Sequence, residues 1–214
     1  MDSADAIWPD LSYSAWSETL ATLHLWTQIV GKIRLTLTPW LNHSWQTPLY
    51  VTARGLATSP IPIGTEIFEI EFDFVAHRLN VRTSRGAERF LPLKAQSVAD
   101  FYGATIGLLH SMGVPVTINE TPNEVPNPIA FSEDRIHATY DAAAAHRFWR
   151  ALAQVDRIFK LFRSGFIGKA SPVHFFWGSF DLAVTRFSGR TAPPHPGGVP
   201  GLPDAVAREA IRTK

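Results

Sequence analysis

The stretch EIFEIEFDFV, Glu66 to Val75, alternates apolar and acidic residues with hardly a break. Successive side chains on a strand point to opposite faces. Phe68, Ile70, Phe72 and Phe74 therefore share one face, and Glu69, Glu71 and Asp73 share the other. One face asks for a core and the other for water, which is the pattern of an antiparallel sheet covered on one side. Downstream, a turn near Ala76–His77 leads to LNVRT, and Arg85–Gly86 turns the chain into ERFLPL, so the region reads as a meander. Upstream, LYVTAR (49–54) supplies another strand, and GLATSPIPIG with Pro60 and Pro62 reads as a connection or edge. IRLTLT (33–38) alternates as the first strand and ends at Pro39. WLNHSW (40–45) follows as a loop, with Asn42 and His43 between indoles.

Three helices flank this meander. In residues 12–31, Trp16, Leu20, Leu23, Thr27 and Val30 form one stripe, and Leu25, Trp26 and Ile29 cover much of the rest. A helix so apolar all round is buried. Its polar edge, His24 and Gln28 four apart, must then find partners inside. Gly31 reads as the C-cap, with Lys32 placed to suit the helix dipole. Ser97 with Asp100 resembles a capping box opening a helix to Met112, after which VPVTI (114–118) reads as a short strand. Asp141 caps a long helix with the stripe Phe148, Leu152, Val155, Phe159 and Phe162.

The other decisive stretch is GKASPVHFFWGSFDLAVTRFSGR, Gly168 to Arg190. Read as one strand, it sets Phe176, Phe180, Leu182 and Val184 on one face, and Phe175, Trp177, Ser179 and Asp181 on the other. Both faces are too apolar for a solvated edge, so it reads as a central strand holding an aspartate inside, and as a pocket wall. The expected architecture is α+β: a mainly antiparallel sheet from 33–94 and 172–187, covered by about three helices. Residues 1–190 form a single domain, and residues 191–214 a Pro/Gly-rich tail with a short helix candidate.

Composition narrows the function. The chain has 214 residues, 45% of them apolar and 18% charged, and a net charge of +1, which marks a globular fold without the basic clusters that track nucleic acid. The absence of cysteine removes disulfides, thiol nucleophiles and Cys-ligated zinc. No segment approaches the roughly 18 uninterrupted apolar residues of a membrane span, and the start of the chain has no signal-peptide pattern, so the expectation is a cytoplasmic protein without a membrane partner. Gly168-Lys169 fails the phosphate-loop spacing, because Arg163 stands at the first glycine and Ala170 at the Ser/Thr position. The pairs Asp73/His77, Asp134/His137 and His174/Asp181 lack compact metal-ligand spacing, so no metal and no cofactor is assigned.

What remains is a set of polar residues embedded in aromatic sequence. His174, Asp181, His24 and Asp73 are the acid/base candidates. Gln28, Lys32, Asn42, His43, Trp45, His77, Lys169 and Trp177 are the ligand-binding candidates. Buried polar groups left unpaired cost about 1–3 kcal/mol each, so several in one core imply a shared network, which locks a fold or holds a ligand. Helix-end pairing for the lysines and plain packing for Trp45 and Trp177 are the competing readings.

The segments TLHLWTQIVGKIRL, NHSW, FDFVAHRL, SVADFY and above all Gly168–Arg190 resemble a bacterial family known only as domain-of-unknown-function family 5996. The resemblance spans about Trp8 to Ala210 and implies no activity. It implies that relatives continue beyond the equivalent of Arg208-Glu209-Ala210 with an aromatic-rich region, so that this chain, ending in IRTK, looks truncated at its C-terminus. Two functions follow as expectations. One is a binder of, or enzyme for, a small polar or anionic molecule, with a His/Asp acid-base pocket. The other is a non-catalytic interaction protein that uses its aromatic surplus as a surface. Oligomeric state is left open.

Overall fold

The computed structural model describes residues 7–191, 193 and 196–198. Its centre is a six-stranded antiparallel sheet in the order β1-β2-β4-β5-β6, with β3 also paired to β4. The strands are β1 (Tyr50–Val51), β2 (Gly55–Ala57), β3 (Ile61–Ile63), β4 (Glu66–Asp73), β5 (Arg78–Thr83) and β6 (Glu88–Pro92). β4 is the axis: β2 and β3 both pair along one side of it and β5 along the other, with Ile70 opposite Val81 and Phe72 opposite Leu79. The alternation of the central strand therefore sets the whole sheet, and Phe68, Ile70, Phe72, Leu79 and Val81 are all buried on its covered face. The segment expected as a connection or edge, residues 55–64, holds two short strands, because β4 is long enough to pair with both.

Three helices complete the α+β fold: α1 (Tyr13–Leu37), α2 (Val98–Ser111) and α3 (Ala142–Ser164). The Ser97 hydroxyl accepts from the Asp100 N–H at 3.1 Å and the Asp141 carboxylate from the Ala144 N–H at 3.1 Å, so both caps operate as their side chains suggest. α1 corrects the sequence reading. It does not stop at Gly31, and Ile33–Thr38 is not a strand. Ile33 and Leu37 extend the i, i+4 series from Trp26, Ile29 and Val30, and the series ends only where the Thr38 N–H closes on the Arg34 carbonyl ahead of Pro39. Gly31 lies inside the helix because the Trp177 indole rests against its Cα, where a Cβ would fall within the ring. Lys32 is accordingly mid-helix and buried rather than a terminal cation. Residues 114–118 are a second correction. Val114, Val116 and Ile118 alternate into the core, but the segment forms no strand.

The stretch Gly168–Arg190 is not one central strand. It folds into a hairpin, β7 (His174–Phe176) and β8 (Asp181–Ala183), which forms its own two-stranded sheet. Its tie to the rest is a bridge between Leu49 and Phe175, whose N–H groups donate to each other's carbonyls at 2.9 and 2.8 Å. The turn between the strands, with Phe180 at φ 57°, reverses the parity assumed for a continuous strand. Phe176 stands opposite Asp181, so His174, Phe176 and Asp181 share one face, while Phe175 and Leu182 share the other. The helix candidate near the end of the tail lies outside the described residues.

Candidate functional site

The polar residues singled out in the sequence separate into three places. The first is the polar edge of α1. With its proton on Nε2, His24 donates to the Gly178 carbonyl at 2.8 Å. The Gln28 amide donates to the Asn123 carbonyl at 2.9 Å and accepts from the Asn123 N–H at 2.7 Å. Lys32 donates to the Thr121 carbonyl at 2.5 Å, and burial lowers its pKa to about 8. Each of these side chains, spaced four apart, grips loop backbone from residues 121–123 or 178 that has no strand partner of its own. Trp177 belongs with them as packing: its indole N–H donates to the Thr47 carbonyl at 2.9 Å while the ring fills the notch at Gly31.

The second place surrounds the 3-10 turn Asn42–Ser44, where His43 and Ser44 both take positive φ. The His43 ring packs between Trp45, at 4.7 Å, and Phe187, at 4.9 Å. The Lys169 ammonium donates to His43 Nε2 at 3.3 Å and lies 4.9 Å over Phe187. Burial, then the Lys169 charge, holds the His43 imidazole below its ordinary pKa, so a neutral ring accepting from lysine is consistent. Asn42 is exposed on the same turn.

The third place is the far end of β4. Asp73 accepts from the N–H groups of Val75 and Ala76 at 2.9 and 2.8 Å, and from Arg54 Nε at 2.7 Å. These bonds keep its carboxyl below the usual range despite the opposing effect of burial. His77, in the turn, hydrogen-bonds the Tyr140 hydroxyl at 2.9 Å. Asp73 and His77 thus lie apart from the hairpin residues and serve the β4–β5 turn.

His174 and Asp181 differ from all of these. The Nδ1–H of His174 donates to the Pro172 carbonyl at 2.7 Å, which fixes the tautomer and leaves a lone pair on Nε2. That nitrogen is buried and has no hydrogen-bond partner among the described residues. Burial pushes the His174 pKa down, against smaller upward effects of Pro172 and Asp181. Asp181, solvent-facing on the same face of the hairpin, has its carboxyl pushed up by loss of surrounding water and by the like charge of Glu124. Glu124 was not anticipated. It sits in the Pro122–Pro126 loop at φ 59°, accepts a hydrogen bond from the Ser179 hydroxyl, and also biases the His24 imidazole upward. Nothing in its local sequence separates it from an ordinary loop glutamate. It is placed there by the Gln28 grip on Asn123.

His24, Glu124, Asp181 and His174 therefore follow one another in electrostatic succession, with an imidazole of lowered pKa at one end and a carboxyl of raised pKa beside it. A raised acid next to a depressed base is how proton transfer near neutral pH is prepared. Phe176 stands edge-on to the His174 ring, centroids 4.4 Å apart. Among the described residues no three His, Asp or Glu side chains gather where a metal could be held, and no helix is long and apolar enough to cross a membrane.

Residues 8–214 match a family of unknown function (DUF5996). No curated protein and no solved structure matches the chain.

Proposed function

We propose, for a chain that belongs to the DUF5996 family, that the hairpin end binds a small polar molecule and exchanges a proton with it through His174 and Asp181. The observation that carries this reading is the free, buried Nε2 of His174. Its tautomer is locked and it has no partner among the described residues, although an unmet buried acceptor costs about 1–3 kcal/mol. In this reading Nε2 accepts a proton from the ligand, and Asp181, on the same face, returns one or orients the ligand. Glu124 sets the Asp181 pKa, and the α1 edge holds the loop that carries Glu124. The Phe176 ring, edge-on to the imidazole, swings aside by a side-chain rotation to admit the ligand.

The test is a thermal-shift screen with a panel of small acids, amines and amides on wild type, Phe176→Ala and His174→Leu. The expected result is a compound that raises the melting temperature of wild type, raises that of Phe176→Ala more, and leaves His174→Leu unmoved. A panel that shifts wild type and His174→Leu alike removes the proposal.

A second reading rests on a different observation. The C-terminal turns of α3 carry exposed Ile158, Leu161 and Phe162, and Ile167 follows fully exposed. Arg157, Arg163 and Lys169 lie around them, and Arg186 stacks on Phe162 at 3.6 Å. Such a basic-rimmed apolar tip suits an acidic protein partner better than a second copy of itself, whose like charges would repel. Sedimentation of the purified protein as a monomer at high concentration is expected under this reading. Self-association that Leu161→Glu abolishes would replace the acidic partner with a second copy.

A further inference from the structure

The face of the sheet away from the core is a polar grid in register. Across β4, β5 and β6 its rows run Asp73–Arg78–Pro92, Glu71–Asn80–Phe90 and Glu69–Arg82–Glu88. A cleft of about 480 Å³ opens over this grid, with Asn80 and Asp73 inside it and Arg54, Arg78, Arg82 and Phe90 around it.

Subtracting the groups that are already satisfied shows what the cleft still offers. Asp73 is fully engaged by two backbone N–H groups and Arg54. Glu71 accepts from the Thr52 hydroxyl at 2.9 Å and from Arg82 at 3.0 Å, and Glu88 accepts from Arg82 Nε at 2.9 Å. Each of these three acids already holds a protein donor. The donors on this face are not all engaged. Asn80 is only 5% exposed, yet its side-chain amide has no hydrogen-bond partner among the described residues. Arg78 stacks over the half-exposed Phe90 at 4.9 Å and has no carboxylate within ion-pair reach among the described residues. Arg54 uses only its Nε on Asp73, so its two terminal nitrogens remain. A side chain nine-tenths buried whose amide reaches the cleft without a partner among the described residues, set among guanidinium groups, is a donor that a ligand can use.

We infer that this cleft is a ligand site, separate from the hairpin, for a small monocarboxylate with a flat apolar body. The carboxylate meets the forks of Arg78 and Arg54, whose paired N–H groups match its two oxygens. The Asn80 amide donates to the same head. The flat body lies against the wall made by Phe90 and the stacked Arg78. The acids lining the grid select for charge: a single negative charge is met by Arg78 and Arg54, whereas a dianion such as phosphate also faces Asp73 and Glu88 at close range.

The probe is benzoate, with inorganic phosphate as its counterpart, titrated into the full chain and followed in ¹H–¹⁵N NMR spectra. Benzoate is expected to move the Asn80 side-chain amide and the backbone amides of β5 and β6 saturably, with a dissociation constant of about 1 mM or tighter. Arg78→Gln, an exposed substitution that keeps the dispersed spectrum of a folded protein, is expected to weaken it at least about tenfold, one carboxylate–guanidinium pair lost. Asn80→Asp, which turns the floor from donor to anion, is expected to abolish it. His174→Leu should leave the titration unchanged, so the two sites stand or fall separately. No saturable shift at Asn80 overturns the inference, as does binding unchanged by Arg78→Gln, and phosphate binding as tightly as benzoate overturns its monocarboxylate form.

Discussion

The polar edge of α1 and the face of the β7–β8 hairpin both set polar groups beside the loop that carries Glu124, and they are treated in opposite ways. On α1, His24, Gln28 and Lys32 each end on a backbone carbonyl of a loop that has no sheet to join. On the hairpin, His174 holds one carbonyl and leaves its other nitrogen unmet, beside a carboxyl with a raised pKa. The first is a fastening. It converts the unsatisfied backbone of residues 121–123 and 178 into fixed geometry. The second leaves hydrogen-bonding capacity unused where leaving it costs stability. Polarity in a core therefore does not mark a site by itself; at His174 the unmet nitrogen lies beside a carboxyl of raised pKa, which the α1 edge does not offer.

If that contrast holds, breaking the fastening should cost far more than altering the hairpin nitrogen. The largest effect is expected at Gly31→Leu, which drives a side chain into the space of the Trp177 indole and separates α1 from the hairpin. About 3 kcal/mol or more of destabilisation is expected in urea unfolding, at the top of the range for overpacking. Gln28→Leu comes next. It removes both part-buried bonds to Asn123, for about 2–3 kcal/mol. Amide exchange should locate the loss in residues 121–125, with the meander still protected. Equal loss of protection in β4 and β5 would show that the edge supports the whole core rather than one loop.

How much of this the sequence discloses depends on how far away the deciding contact lies. The meander is legible because the alternation of Phe68, Ile70 and Phe72 is paired with strands only a few residues off. Gly31 is misread because a glycine near an apolar run resembles a cap, and the reason for it is an indole from residue 177. Ile33–Thr38 alternates like a strand, yet Ile33 and Leu37 also satisfy the helical spacing, and packing against the core decides between the two periods. The hairpin is hidden because Trp177–Phe180 lacks the Asn-Gly or Asp-Gly signature, so Phe180 takes its positive φ without advertising it. Of the site, His174 and Asp181 are legible as polar residues in aromatic sequence. Their distinction from His24 or Asp73 is not, since it lies in which partners each one lacks.

On the hairpin side the same contrast predicts small effects on stability. His174→Leu loses the bond to the Pro172 carbonyl but removes an unmet nitrogen and adds apolar burial, so stability at pH 7 should change by no more than about 1 kcal/mol. Its signature is in the pH dependence. A histidine whose folded pKa is depressed leaves stability intact above its unfolded value, near 6.5, and withdraws it as pH falls from there toward the folded value. Between pH 7 and pH 5, wild type should lose more stability than His174→Leu does. Parallel losses would mean that the nitrogen is hydrated and protonates freely.

Asp181→Asn should have the smallest effect, and its sign is opposite to that of a carboxylate held by cations and N–H donors. Because the folded pKa is raised, the protonated form is the one the fold favours, so stability is greatest below the unfolded value, near 4, and declines as pH rises through the folded value. Asparagine keeps the shape and removes the charge. The variant should therefore be equal to wild type near pH 3.5 and slightly more stable at pH 7, by no more than about 0.5 kcal/mol for a carboxyl that faces solvent. Asp73→Asn, at the β4–β5 turn, should move the other way: its carboxylate is held by Arg54 and two backbone N–H groups, so loss of the charge weakens the fold at pH 7. Two aspartates on one small domain that respond to the same substitution with opposite signs would locate in Asp181 the charge that the fold retains at its own expense. A loss of stability at both would make Asp181 another fastening and remove the acid from the site.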